Sequence, residues 1–169
     1  MASTKRAANE TGKQYPSPVD VPDKHELIAL LNQQLANTFD LLSQTKHAHW
    51  NVKGSNFYGL HRLFDDLYEI VEGDVDTIAE RLTALGGVAH GTARMAAGAT
   101  ELEEFPADLT ASMEVVRHMS QIYAQCANSV REGIDKTDEL NDKGTSDMLT
   151  DVVRDLDKAI YFLDSHLQK

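Results

Sequence analysis

From residue 28 to residue 49 the core-type positions recur in alternating steps of three and four: Ile28, Leu31, Leu35, Thr38, Leu42, Thr45 and His49. That is the period of a helix with one face turned to a core. It predicts a helix of about 29 residues that starts behind an N-cap at Asp23, next to Pro22, and ends near Val52-Lys53-Gly54. His49 is in phase with the stripe. His47 lies ~200° away round the helix and faces elsewhere.

A second helix is predicted from Phe57 to Leu85, stopped by Gly86-Gly87. Its core stripe is Leu60, Phe64, Leu67, Val71, Val75, Ile78, Leu82 and Leu85. One residue further on runs a polar stripe of His61, Asp65, Tyr68, Glu72, Asp76 and Glu80, ~100° from the first. Two ordered stripes imply two packing neighbours, one inside the chain's own bundle and one outside it.

Residues 88–106 form a Gly/Ala/Thr-rich connection long enough to cross a bundle and hold a short helix. A third helix follows Phe105-Pro106, with Met113, Val116, Met119, Tyr123, Ala127, Val130 and Ile134 in phase. Residues 136–147 then turn the chain, and Thr145 is the expected cap of a last helix carrying Leu149, Val152, Leu156, Ile160, Leu163 and Leu167. The fold class is therefore all-α: a ferritin-like four-helix bundle with a long crossover between helices 2 and 3, spanning residues 23–169.

Composition narrows the reading. The chain has 169 residues and a formal net charge of −11, which opposes nucleic-acid binding through the body of the protein. Residues 1–22 are different. They are polar, aperiodic and broken by Pro16, Pro18 and Pro22, and predict a flexible, weakly basic tail whose cations are Lys5, Arg6 and Lys13. No apolar run reaches the roughly 20 residues of a membrane span. The N-terminus has no apolar leader core, so the expected location is the cytoplasm. Cys126 is the single cysteine and reads as a small buried hydrophobe.

The polar stripe carries the candidate chemistry. His61 and Asp65 are one turn apart on one face, and Asp76 and Glu80 repeat that spacing. Imidazole plus carboxylate suits iron, with manganese and zinc as competitors. Asp65 and Asp76 lie ~16 Å apart along the axis, whereas a metal–ligand bond is roughly 2 Å. One straight helix cannot bring both pairs to one ion. Two copies, antiparallel about a two-fold axis, can bring His61 and Asp65 of one to Asp76 and Glu80 of the other, with His49 joining from the first helix. The chain has no Glu-x-x-His, so a site inside the bundle of the usual ferritin kind is not expected.

The stretch "KHAHWNVKGSNFYGLH", followed by "FDD" and "GDVDTIAERLTALGG", resembles the signature of the Dps family, the DNA-binding proteins from starved cells, also called mini-ferritins. "RDLDKAIYFLDSH" resembles the family's last helix. The resemblance covers residues 23–169. It implies a hollow homododecamer that oxidises Fe(II), preferentially with hydrogen peroxide, stores Fe(III) as a mineral and protects against oxidative stress. It also implies ferroxidase ligands at His49, His61 and Asp65 of one subunit and at Asp76 and Glu80 of its mate, with Trp50 beside the site as a redox aromatic.

Seven acids against Lys143 and Arg154 fall between residues 138 and 157, and Asp147, Asp151 and Asp155 form an i, i+4 ladder. Around a three-fold axis such residues would make a cation-concentrating funnel. The resemblance implies an iron-entry pore best matched by Asp138, Asp142 and Asp147, with Asp151 as an added acid. The alternative function is DNA compaction at the nucleoid through the tail, weak against so anionic a body and helped by multivalency.

Overall fold

The computed structural model describes residues 17–168, and over these the chain is four long helices and one short one. They are α1 (Lys24–Asn51), α2 (Phe57–Ala84), α3 (Ala93–Ala99), α4 (Ser112–Glu139) and α5 (Lys143–Ser165). The predicted stripes form the core. Leu31, Phe64, Leu67, Ile78, Met119, Tyr123, Leu149 and Leu156 are fully buried, each contributing ~1.5–3 kcal/mol of burial free energy.

The ends of the helices explain the chain's course. Asp23 stands at the head of α1, but with φ 46 and no side-chain cap. Its carbonyl, rather than its carboxylate, accepts from Glu26 and Leu27 N–H. Gly86 (φ 93) closes α2, with Gly86 N–H on Thr83 O and Gly87 N–H on Leu82 O, the paired bonds of a Schellman stop. A Cβ on Gly87 would come within 2.8 Å of Ile28 Cγ2, so the second glycine lets the exit strand pass against α1.

The crossover is tied down along one polar face of α1. Asn32 donates to Val88 O and accepts from His90 N–H, Gln33 donates to Ala99 O, and Asn37 accepts from Glu101 N–H. Asp40 accepts from Thr100 Oγ1 and Gln44 donates to Glu103 O. These bonds satisfy the backbone of a segment that has little ladder of its own. The short helix expected here is α3, capped by Thr92.

Three expectations change. The turn after α4 is only residues 140–142, and Asp142, not Thr145, caps α5 by accepting from Thr145 N–H. Val75 is half-buried while its neighbour Asp74 is 6 % exposed, because a step of three from Val71 faces α5 where a step of four does not. Residues 17–22, read as tail, lie against the bundle: Ser17 Oγ donates to Ala84 O and Val19 and Val21 touch the core. Lys5, Arg6 and Lys13 lie outside the described residues.

Candidate metal centre

The corner between α1 and α2 sets the site. Residues 52–56 turn the chain at Gly54, whose φ of 125 and closeness to Ser112 exclude a side chain. Lys53 pins this corner to the head of α4, donating to Thr110 O and accepting from Ser112 N–H. The turn brings the last coil of α1 against the first coils of α2, so His49 stacks on His61 with ring centroids 3.8 Å apart. His49 Nδ1 lies 2.8 Å from His61 O, and His61 Nδ1 lies 2.9 Å from His49 O. A carbonyl oxygen can only accept, so both Nδ1 atoms carry a proton, and in the neutral rings each Nε2 holds the lone pair. Phe57 covers the other side of His61, with ring centroids 5.2 Å apart.

Asp65, one turn further along α2, stands 3.7 Å from His49 Nδ1. Lys46 reaches it from α1 at 2.6 Å and lies over the Tyr68 ring. That hydrogen bond holds the Asp65 carboxyl below its ordinary range. Lys46 is the functional neighbour that the sequence reading missed. Its only signal was its place three residues before His49.

Asp76 and Glu80 are exposed on the same helix, about three turns on. Asp76 edges an open cleft of about 700 Å³ between α1 and α2, lined by Leu35, Phe39, Leu42, Tyr68 and Ala79. Among the described residues no three His, Cys, Asp or Glu side chains are grouped to hold an ion within the single chain. His49, His61 and Asp65 gather at one end of α2, while Asp76 and Glu80 stand apart. Trp50 is 66 % exposed beside His49 and takes no part in the stack.

The acidic segment divides. Asp142 is 3 % exposed, its two carboxylate oxygens accepting from Arg81 Nη2 and from Thr145 N–H and Oγ1. Burial pushes its pKa up, but the bonds from Thr145 and Arg81 outweigh that and leave it lowered. Within the chain it caps α5 and locks α2 to α5. Asp138 pairs with Lys143 at 2.7 Å and Asp151 with Arg154 at 2.6 Å; Asp147 is exposed. Asp74, which no motif singled out, has an unpartnered Oδ2. Burial and then the charge of Asp155 push its pKa up to about 8.

The fold is a ferritin-like helical bundle that gathers His49, His61 and Asp65 at its α1–α2 corner. The ferritin-like domain family matches residues 28–169. The DNA protection during starvation protein of Agrobacterium fabrum is 37 % identical over 159 residues, 93 % of this chain and 98 % of that protein. Its counterpart in Brevibacillus brevis is 32 % identical over 85 % of this chain and 96 % of its own. The solved structure of DpsC from Streptomyces coelicolor superposes with a TM-score of 0.89 at 29 % identity, covering 97 % of each chain. The chain belongs to the Dps family. No helix among the described residues is long and apolar enough to cross a membrane.

Proposed function

We propose that the protein is an iron-storage and detoxification cage, a homododecamer that oxidises Fe(II), preferably with hydrogen peroxide, and keeps Fe(III) inside. The observation that carries this reading is the reciprocal His49–His61 lock, which stacks two imidazoles next to Asp65, its carboxylate 3.7 Å from His49 Nδ1. Asp76 and Glu80 are too far along α2 to join them within one chain. A two-fold copy seated at the α1–α2 cleft would bring them to the mate's His49, His61 and Asp65. The substrate is Fe(II), and zinc and manganese compete for the same donors.

Two Fe(II) give one electron each to one peroxide; with two protons taken up, the O–O bond breaks into two waters and two Fe(III) result. Pairing the electrons avoids release of hydroxyl radical, and exposed Trp50 stands ready to intercept a stray one-electron oxidant. Asp65 is held ionised by Lys46, whose ammonium fills the cation's place until Fe(II) displaces it. Cations would enter by an acidic pore at the three-fold axis, for which Asp138, Asp142, Asp147 and Asp151 are the candidates. The cage would work in the cytoplasm.

The direct test is particle mass by light scattering: twelve chains of 18.7 kDa support the cage, and a monomer would remove the shared site. A second reading, DNA binding through Lys5, Arg6 and Lys13, is favoured by the contrast between a cationic tail and an anionic body. A DNA gel shift that survives truncation to Pro22 would contradict it.

A further inference from the structure

Tyr68 lies in the polar stripe of α2, between the two ligand pairs, and takes no part in ligation. Lys46 Nζ is 2.6 Å from Asp65 Oδ1 and 4.7 Å from the centroid of the Tyr68 ring, so one ammonium touches both the carboxylate and the phenol. One turn on, the Tyr68 hydroxyl donates to Glu72 Oε1 at 3.3 Å. The ring is half-buried against the core and lines the α1–α2 cleft together with Glu72 and Asp76.

This bond sets Tyr68 apart. Tyr123 is buried in the core and its hydroxyl meets that of Thr45, which is no base at neutral pH. Tyr58 and Tyr161 stand out in solvent. Among the described residues only Tyr68 donates its hydroxyl to a carboxylate. A phenol that loses an electron but keeps its proton becomes a cation, which the ammonium over its ring opposes. A carboxylate already bonded to the hydroxyl can take the proton in the same step and leave a neutral radical. Burial and the charge of Glu72 push the Tyr68 pKa above its ordinary value, so at neutral pH the proton is in place to be passed.

We propose that Tyr68 is a one-electron donor to a ferroxidase site holding a single Fe(II), with Glu72 as the acceptor of its phenolic proton. The inference rests on the ferroxidase reading and concerns a site whose second Fe(II) is missing, where peroxide would otherwise yield hydroxyl radical. Fe(II) and Tyr68 each give one electron to the peroxide, its O–O bond breaks, and two protons from solvent complete two waters. The phenolic proton passes to a Glu72 oxygen, leaving Fe(III) and a neutral phenoxyl radical. An Fe(II) that arrives later gives its electron to the phenoxyl, Glu72 returns the proton, and the phenol is restored. The sum is then the same as for a site loaded with two Fe(II) from the start.

The test uses assembled full-length protein with Trp50→Phe, which removes the competing indole radical. It is loaded anaerobically with one Fe(II) per site, mixed with hydrogen peroxide and freeze-quenched for electron paramagnetic resonance. A tyrosyl signal is expected. Adding Tyr68→Phe, which keeps the ring in the cleft, should abolish that signal and raise spin-trapped hydroxyl radical several-fold. Adding Glu72→Gln instead, which keeps an acceptor oxygen but not the base, should lower the tyrosyl signal several-fold. A signal that persists undiminished in both variants would overturn the proposal, and so would a parent that oxidises its iron without any tyrosyl signal. A parent that fails to oxidise iron even with two Fe(II) per site would bring down the ferroxidase reading itself, and this proposal with it.

Discussion

His49 and His61 each donate an Nδ1 proton to the other's backbone carbonyl, at 2.8 and 2.9 Å. The pair thereby fixes its own tautomers without borrowing a carboxylate, and both Nε2 atoms are left as donors to an ion. Losing either ring would remove a proposed ligand and free the other ring. His61→Ala should slow peroxide-driven Fe(II) oxidation by about 10–100-fold, and Asp76→Ala by a similar factor. Stopped-flow absorbance after anaerobic Fe(II) loading measures both. Unchanged rates in the two variants would refute the ligand assignment.

A shared site makes a prediction about mixtures. His61→Ala and Glu80→Ala proteins, each impaired alone, should recover part of the activity when unfolded together and reassembled. In a mixed dimer both lesions can fall in one site and spare the other. A mixture no faster than the mean of its components would point to sites confined to single chains.

Lys46 lies 2.6 Å from Asp65, in the position a bound cation would contest. Lys46→Met removes both the competitor and its repulsion of a dication. We expect tighter Zn2+ or Co2+ binding at the interface site by calorimetry. Weaker binding would mean that the lysine orients the carboxylate rather than opposing the ion.

The Arg81–Asp142 pair joins α2 to the head of α5, with the Asp142 side chain 3 % exposed. Removing one member of a buried pair strands the other, so Arg81→Met should cost about 3 kcal/mol. The folded-state pKa of Asp142 lies below its unfolded value. Its contribution is therefore complete above the unfolded carboxyl pKa of about 3.9 and is lost as pH falls through the lower folded value. Melts of wild type and Asp142→Asn should converge on acidification below pH ~4 and differ at neutral pH. A gap that stays constant across this window would show that the carboxylate charge contributes nothing.

Much of this molecule was written in local periodicity. The three-and-four stripes from Ile28 to Leu163 depend only on which faces of a helix avoid water, and Gly86-Gly87 on which residues accept a left-handed exit; both are properties of neighbouring residues. So was the separation of Asp65 from Asp76, which follows from helical rise alone and ruled out one ion for one chain. Other features needed the fold. Asp142 was one acid among seven until α5 packed on α2 and Arg81 took it. Val75 was expected in the core of α2 until packing against α5 buried its neighbour Asp74 instead. The His49–His61 lock requires the corner at Gly54, and the contacts of the Phe105 ring with both His47 and His118 require the crossover to lay Phe105 over α1 and α4. These contacts join residues distant in the chain, and no spacing rule encodes them. Local sequence determined the helices, their faces and the ligand types. Tertiary packing decided which polar groups are neutralised, which are left unpartnered, and which way each imidazole presents its lone pair.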